Sequence, residues 1–227
     1  MNLKGIAARV RRGDLQYALG RFKSVRSVYG GVRRVTDSFP RRKTAPPPRQ
    51  SRLFPHTDIH RAIGQIRDEA VFIGLNLPAE IVAQIDAFAR TEPLHAIYDP
   101  NGATFLYFDV VRGKTADGLL IPVAGIRDPA RCTAVQAVVN DPVLRSIVLG
   151  YLGHEPRQIL TILDWTFASD MTDEERRRLK HHVIDYHYDV GGFNFVYASF
   201  YITDTDRYSG AHVMMKRSHN KKPLRML

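Results

Sequence analysis

Between Ile184 and His219 the chain runs IDYHYDVGGFNFVYASFYITDTDRYSGAHVMMKRSH. Three pieces around and within it, VIDYHYDV (183–190), FNFVYASFYIT (193–203) and AHVMMK (211–216), are rich in aromatic and β-branched residues. Gly191-Gly192 and Ser209-Gly210 separate them, so the pattern predicts three strands joined by turns. On a strand, residues i and i+2 share a face. His187 and Asp189 are therefore expected to point one way and Tyr188 the other.

Upstream the periodicity changes. Residues 58–69 read as a helix with Asp58 as N-cap, and the segment from Val71 to Thr91 reads as a brief extended piece followed by a helix with Pro78 in its first turn. Ile81, Val82, Ile85 and Phe88 form the apolar stripe of that second helix. A loop-rich, strand-like stretch follows from His95 to Pro122. NDPVLRSIVLGYLG (140–153) reads as a helix capped by Asn140 or Asp141 and stopped by Gly153. RQILTILDWTF (157–167) reads as a strand, and TDEERRRLKHH (172–182) as an exposed helical turn opening at Thr172, with His181 and His182 in solvent. Helices first and strands later predict an α+β chain, with N-terminal helices followed by a partial double-stranded β-helix, or jelly-roll, core.

The net charge of +10 is unevenly spread. Residues 1–52 hold 14 Lys or Arg against Asp14 and Asp37, and the rest of the chain is close to neutral. Two regions follow: a basic leader and Pro-rich linker (1–52), partly disordered, and a folded domain (53–227). Within the leader, Ile6 to Tyr29 places apolar residues at helical spacing among arginines, whereas Gly30 to Gln50, with three successive prolines, reads as an extended linker. A basic leader on a neutral domain is a solvated tail, an organelle-targeting peptide, or a contact for an anionic membrane surface or nucleic acid. The neutral remainder argues against a nucleic-acid groove within the domain. No apolar run is long enough to span a bilayer, and a single cysteine, Cys132, forms no internal disulfide; a cytoplasmic setting is the expectation. Cys132 itself reads as a small buried apolar residue.

An imidazole and a carboxylate on one strand face, joined by a second histidine from elsewhere, make the facial triad of non-heme Fe(II) oxygenases, with three positions left open for a 2-oxo acid and dioxygen. Spacing alone is weak support, because chance supplies close to one His-x-Asp match in a chain with 9 His and 17 Asp. A second match does occur at His56-Thr57-Asp58. That copy follows Pro55 and precedes a helix, so Asp58 is assigned to capping rather than to metal.

From Asp185 to His219 the sequence resembles the phytanoyl-CoA dioxygenase-like family of Fe(II)- and 2-oxoglutarate-dependent oxygenases. In that family the His-x-Asp pair is followed by an apolar strand, an Asp-rich turn with Asn-Gly or Ser-Gly, a second strand, and Pro-Gly-Ser-His or Pro-Gly-Thr-His. Here HYD, FVYASFYI, TDTDRYSG, AHVMM and KRSH match those features, and NDPVLRSIVLGYLG is similar to the helix before the family's core. The resemblance implies a dioxygenase that hydroxylates a small organic molecule, with Fe(II) and 2-oxoglutarate as cofactors, His187 and Asp189 as metal ligands, and Ser199 at a position that faces 2-oxoglutarate.

Two departures accompany it. Lys216-Arg217 stands where the family has Pro-Gly. The family's second ligand histidine, and the arginine that holds the far carboxylate of 2-oxoglutarate, come tens of residues after the Ser-His, whereas this sequence ends at Leu227. The expectation is a domain incomplete at its C-terminus, with His212 and His219 as the only substitute ligands downstream. The alternative is a truncated, inactive relative that binds a ligand or has its sheet completed by an oligomeric partner. Trp165 and Tyr197 are read as pocket or core aromatics, and Asp206 as the cap of the Ser-Gly turn.

Overall fold

The computed structural model describes residues 19–20, 22–38, 50–97, 102, 104–179, 184–189, 191–206 and 209–220. Expectations for residues 1–18, for the Pro-rich segment 39–49, and for His181 and His182 lie outside these residues.

Helix formation follows local signals closely. Helix α1 spans Lys23–Ser38 and continues through Gly30-Gly31, beyond the point where the glycine pair marks the start of the expected linker. Helix α2, Ile59–Glu69, opens on Asp58, whose carboxylate accepts from the Arg61 N–H at 3.0 Å. Helix α3, Ala79–Thr91, begins directly after Pro78. Helix α4, Thr133–Val139, carried no expectation from sequence, and helix α5, Pro142–Leu152, runs from the Asp141 cap to Gly153. Gly153 takes the left-handed conformation (φ 73°) that ends a helix without a Cβ clash. Helix α6, Asp173–Arg178, opens on a reciprocal capping box between Thr172 and Glu175.

The chain is α+β, and its sheet is small. Strands β1 (Leu94–Ala96), β2 (Val123–Ile126) and β3 (Asp164–Thr166) form one antiparallel sheet in the order β1-β2-β3. Leu94 sits opposite Ile126, and Ala124 opposite Trp165. Only the last part of RQILTILDWTF joins it. The three strands expected between residues 183 and 216 are not formed among the described residues. Aromatic and β-branched content favours a pleated surface, but a strand exists only where a neighbour completes the ladder. Here the segments leave Tyr197, Tyr201, Val213, Met214 and Met215 exposed instead.

Two apolar clusters hold the fold. In the first, Phe54, Ala62, Ile85, Val135, Val138, Leu144 and Ile147 bring α2, α3, α4 and α5 together. Phe200 stacks on Phe54 with ring centroids 5.9 Å apart, which fastens the later segment to the helices. Cys132 is buried in this cluster, as expected. In the second, Leu94, Ala96, Val110, Ile121, Ala124 and Ile126 pack under Ala89 of α3. Phe88 and Leu163 touch both clusters. Trp165 belongs to the second: its indole N–H donates to the Ala89 carbonyl at 3.1 Å, and its ring lies 4.4 Å from that of Tyr107.

A buried polar knot ties residue 51 to α5. Asp141 accepts from the Val143 and Leu144 N–H groups at 2.9 and 3.1 Å through one oxygen, and from the Ser51 hydroxyl at 2.5 Å through the other. The Ser51 oxygen in turn accepts from the N–H groups of Leu53 and Phe54. The packed chain therefore includes Ser51, inside the segment read as leader.

Candidate functional site

His187 and Asp189 lie in a segment with no regular secondary structure, and their side chains meet. Nε2 of His187 is 3.2 Å from Oδ1 of Asp189, with each side chain about half exposed. The other ring nitrogen, Nδ1, lies 2.9 Å from the carbonyl oxygen of Asp185. A carbonyl only accepts, so Nδ1 carries a proton. In the neutral ring, Nε2 then turns its lone pair toward the Asp189 carboxylate. Two lone-pair donors 3.2 Å apart repel unless a cation joins them: a proton, making an imidazolium–carboxylate pair, or a metal ion. A ring whose far N–H is held by a backbone carbonyl while its free nitrogen faces outward is the usual arrangement of a ligand histidine.

Neither His212 nor His219 joins this pair. His212 Nδ1 lies 2.9 Å from the Tyr201 hydroxyl, which also accepts from the His212 backbone N–H at 2.7 Å. His212 also sits near Asp164, whose carboxyl is pushed up by desolvation, although the residue as a whole is exposed, and is partly drawn back down by the histidine's charge.

His219 has a different task. Its Nε2 lies 3.0 Å from the carbonyl of Arg67 and must donate to it, so that nitrogen has no lone pair for a metal. Two residues earlier, the Arg217 N–H donates to the carbonyl of Glu69 at 3.0 Å, and Lys216 Nζ lies 2.8 Å from the Glu69 carboxylate. The hydrogen bond from Lys216, with its charge, holds that carboxyl below its ordinary range. KRSH is thus the C-terminal cap of α2, satisfying two of the four carbonyls that a helix end leaves open and placing a cation at its negative pole. Of the Lys-Arg that departs from Pro-Gly, Lys216 supplies a charge that a proline there could not, whereas the Arg217 backbone donor is one that a glycine would also offer.

Among the described residues no group of three His, Cys, Asp or Glu gathers as a metal site. The chain's own pair therefore fits one part of an iron site, two donors of suitable type at suitable separation, and the described residues do not complete it. Ser199 is exposed, and Tyr197 is exposed rather than lining a pocket. Asp206 caps the Ser-Gly turn as expected, accepting from Ser209 N–H through its side chain at 3.0 Å and from Ala211 N–H through its backbone at 3.1 Å. His56-Thr57-Asp58 is a helix start, with Asp58 committed to its cap.

The partners formed through space were the part sequence reasoning missed. That KRSH caps α2 spans about 150 residues of chain, and the only local hint was a Lys-Arg pair in place of Pro-Gly. No protein-family model matches the chain, and neither a curated protein nor a solved structure matches it.

Proposed function

We propose that this protein carries the His-x-Asp half of a ferrous iron site and belongs with the phytanoyl-CoA dioxygenase-like, 2-oxoglutarate-dependent oxygenases that hydroxylate a small organic molecule. The observation that carries this reading is the His187–Asp189 pair: Asp185 fixes the tautomer, and a lone pair is left facing a carboxylate across 3.2 Å. Ferrous iron held with a 2-oxo acid supplies activation of dioxygen. The chain's own residues contribute imidazole Nε2 and one carboxylate oxygen, and the Asp185 carbonyl keeps the ring from turning.

On this reading the third ligand comes from outside the described residues, and a jelly-roll core is completed around the segments at 193–203 and 211–216. Ser199 would then face 2-oxoglutarate, and a reducing, cytoplasmic setting suits ferrous iron. Anaerobic Fe(II) titration of the full chain tests it. One equivalent should bind, and Asp189→Ala and His187→Ala should each weaken binding roughly tenfold or more. Succinate release from 2-oxoglutarate should depend on added Fe(II) and vanish in Asp189→Ala. Binding unchanged in both variants refutes the assignment of the pair.

A second reading is favoured by the lack of a third ligand among the described residues: an inactive relative, in which protonated His187 pairs with Asp189 and the domain serves binding. A folded protein that takes up no Fe(II) supports it.

A further inference from the structure

Helix α1 is mounted with its polar side inward. Arg26 donates to the His219 carbonyl at 3.5 Å. Arg33 donates to the Glu155 carbonyl at 3.3 Å and pairs with Asp37 at 3.0 Å. Tyr29 packs on Phe193 and meets His154 edge-on, with centroids 5.0 and 5.9 Å apart. Gly30, one residue on, is buried beside Asn194. The docked face is therefore arginines, a tyrosine and a glycine.

The valines recur at 25, 28, 32 and 35, the 3-4-3 spacing of one helical stripe. Three of them face solvent, with Val28, Val32 and Val35 exposed by 67, 55 and 59%. At one end the stripe opens into a groove lined by Ser24, Val25, Val28, Tyr29 and Phe193, about 370 Å³ in volume. A soluble helix normally shows the reverse arrangement, valines in and arginines out.

Charge chooses among the surfaces that could cover such a stripe. The helix lies within residues 1–52, where 14 basic residues face two acidic ones, and the sequence is basic on both sides of it: Arg9, Arg11, Arg12 and Arg21 before, Arg41, Arg42 and Lys43 after. A second copy would bring two such leaders together and repel itself. Nucleic acid would take up the charge, but valines neither stack on bases nor contact phosphates. A bilayer surface carrying anionic lipid accepts both features, acyl boundary for the valines and headgroup charge for the arginines. We infer that α1 is an interfacial anchor that lays Val28, Val32 and Val35 into the surface of an anionic membrane, drawn there by the net basic charge of residues 1–52. Three valines are too little apolar area to hold the protein alone, so the anchor needs both signals and is reversible. The inference is independent of the iron site.

Sedimentation of the full chain with sucrose-loaded vesicles tests it. The protein should pellet with phosphatidylcholine vesicles containing phosphatidylserine and stay in solution with phosphatidylcholine alone. Val28→Ser/Val32→Ser/Val35→Ser, all at exposed positions, should keep the far-UV circular dichroism spectrum and weaken vesicle binding by about tenfold or more. Equal binding by the triple variant and the parent would mean adhesion through charge alone and would overturn the inference. So would equal binding to both vesicle types. Absence of vesicle binding together with a dimer abolished by the triple variant would assign the stripe to a second copy. Absence of vesicle binding with retention on a single-stranded oligonucleotide would assign the leader to nucleic acid. Either result rejects the membrane anchor.

Discussion

Removing the carboxylate of Asp141 should cost far more than its position before an ordinary helix implies. Asp141 and Ser51 are 4 and 5% exposed. In Asp141→Ala the α5 N-cap is lost, at about 1–2 kcal/mol. Beyond the cap, the Ser51 hydroxyl loses its acceptor in a site water reaches poorly, which adds about 1–2 kcal/mol. The total is about 3 kcal/mol, which in urea unfolding followed by circular dichroism lowers the midpoint by about 1.5 M. In a thermal scan it lowers Tm by about 6–12 °C. Asp141→Asn keeps the oxygen that serves the two α5 amides and should lose only about 1 kcal/mol. Ser51→Ala leaves the Leu53 and Phe54 amides and one Asp141 oxygen without partners. The double variant Ser51→Ala/Asp141→Ala should therefore cost less than the two single losses combined, by about 1 kcal/mol or more. An Asp141→Ala protein within about 0.5 kcal/mol of the parent at unchanged denaturant slope would show that the knot stabilises nothing, and the reasoning fails.

Desolvation raises the Asp164 carboxyl, so its charged form opposes folding. The stability linked to it is complete below the ordinary aspartate range and is lost as pH rises through the raised folded value. Asp164→Asn should thus be more stable than the parent near neutrality, with the difference closing in acid; a constant gap across a pH series of urea midpoints would refute this. Thr172→Ala removes the capping box of exposed α6 and should cost about 1 kcal/mol at most, read as lost protection of the Glu175 amide in hydrogen exchange. Leu94, fully buried between sheet and α3, should cost about 3 kcal/mol or more as Leu94→Ala, measured by the same urea titration.

Local signals carried the helices. Asp58, Pro78, Asp141, Gly153 and Thr172 mark helix ends because a cap or a stop acts within one turn, and each is found there. Helix α4 has no such mark: its N-cap, Cys132, makes no side-chain cap bond, and its Thr-Ala-Val-Gln-Ala-Val-Val run holds too many β-branched residues to announce a helix. The sheet was harder still, since pairing Leu94 with Ile126 and Ala124 with Trp165 joins segments some 30 to 40 residues apart, and no local pattern specifies such partners. For the candidate site, His187 and Asp189 do meet, but without the strand from which their shared face was expected. The clamp from Asp185, the Tyr201–His212 contact and the binding of His219 to α2 depend on the fold around them.

Trp165 is the chain's only tryptophan, and it is wedged where α3 meets the sheet, one edge bonded to Ala89 and one face toward Tyr107. Its emission is therefore a spectroscopic reporter placed in one apolar cluster, while the far-UV signal comes mostly from helices of the other. Superimposable melting curves from the two would mean that the halves cooperate through Phe88 and Leu163. Separated curves would locate the weaker half without any label.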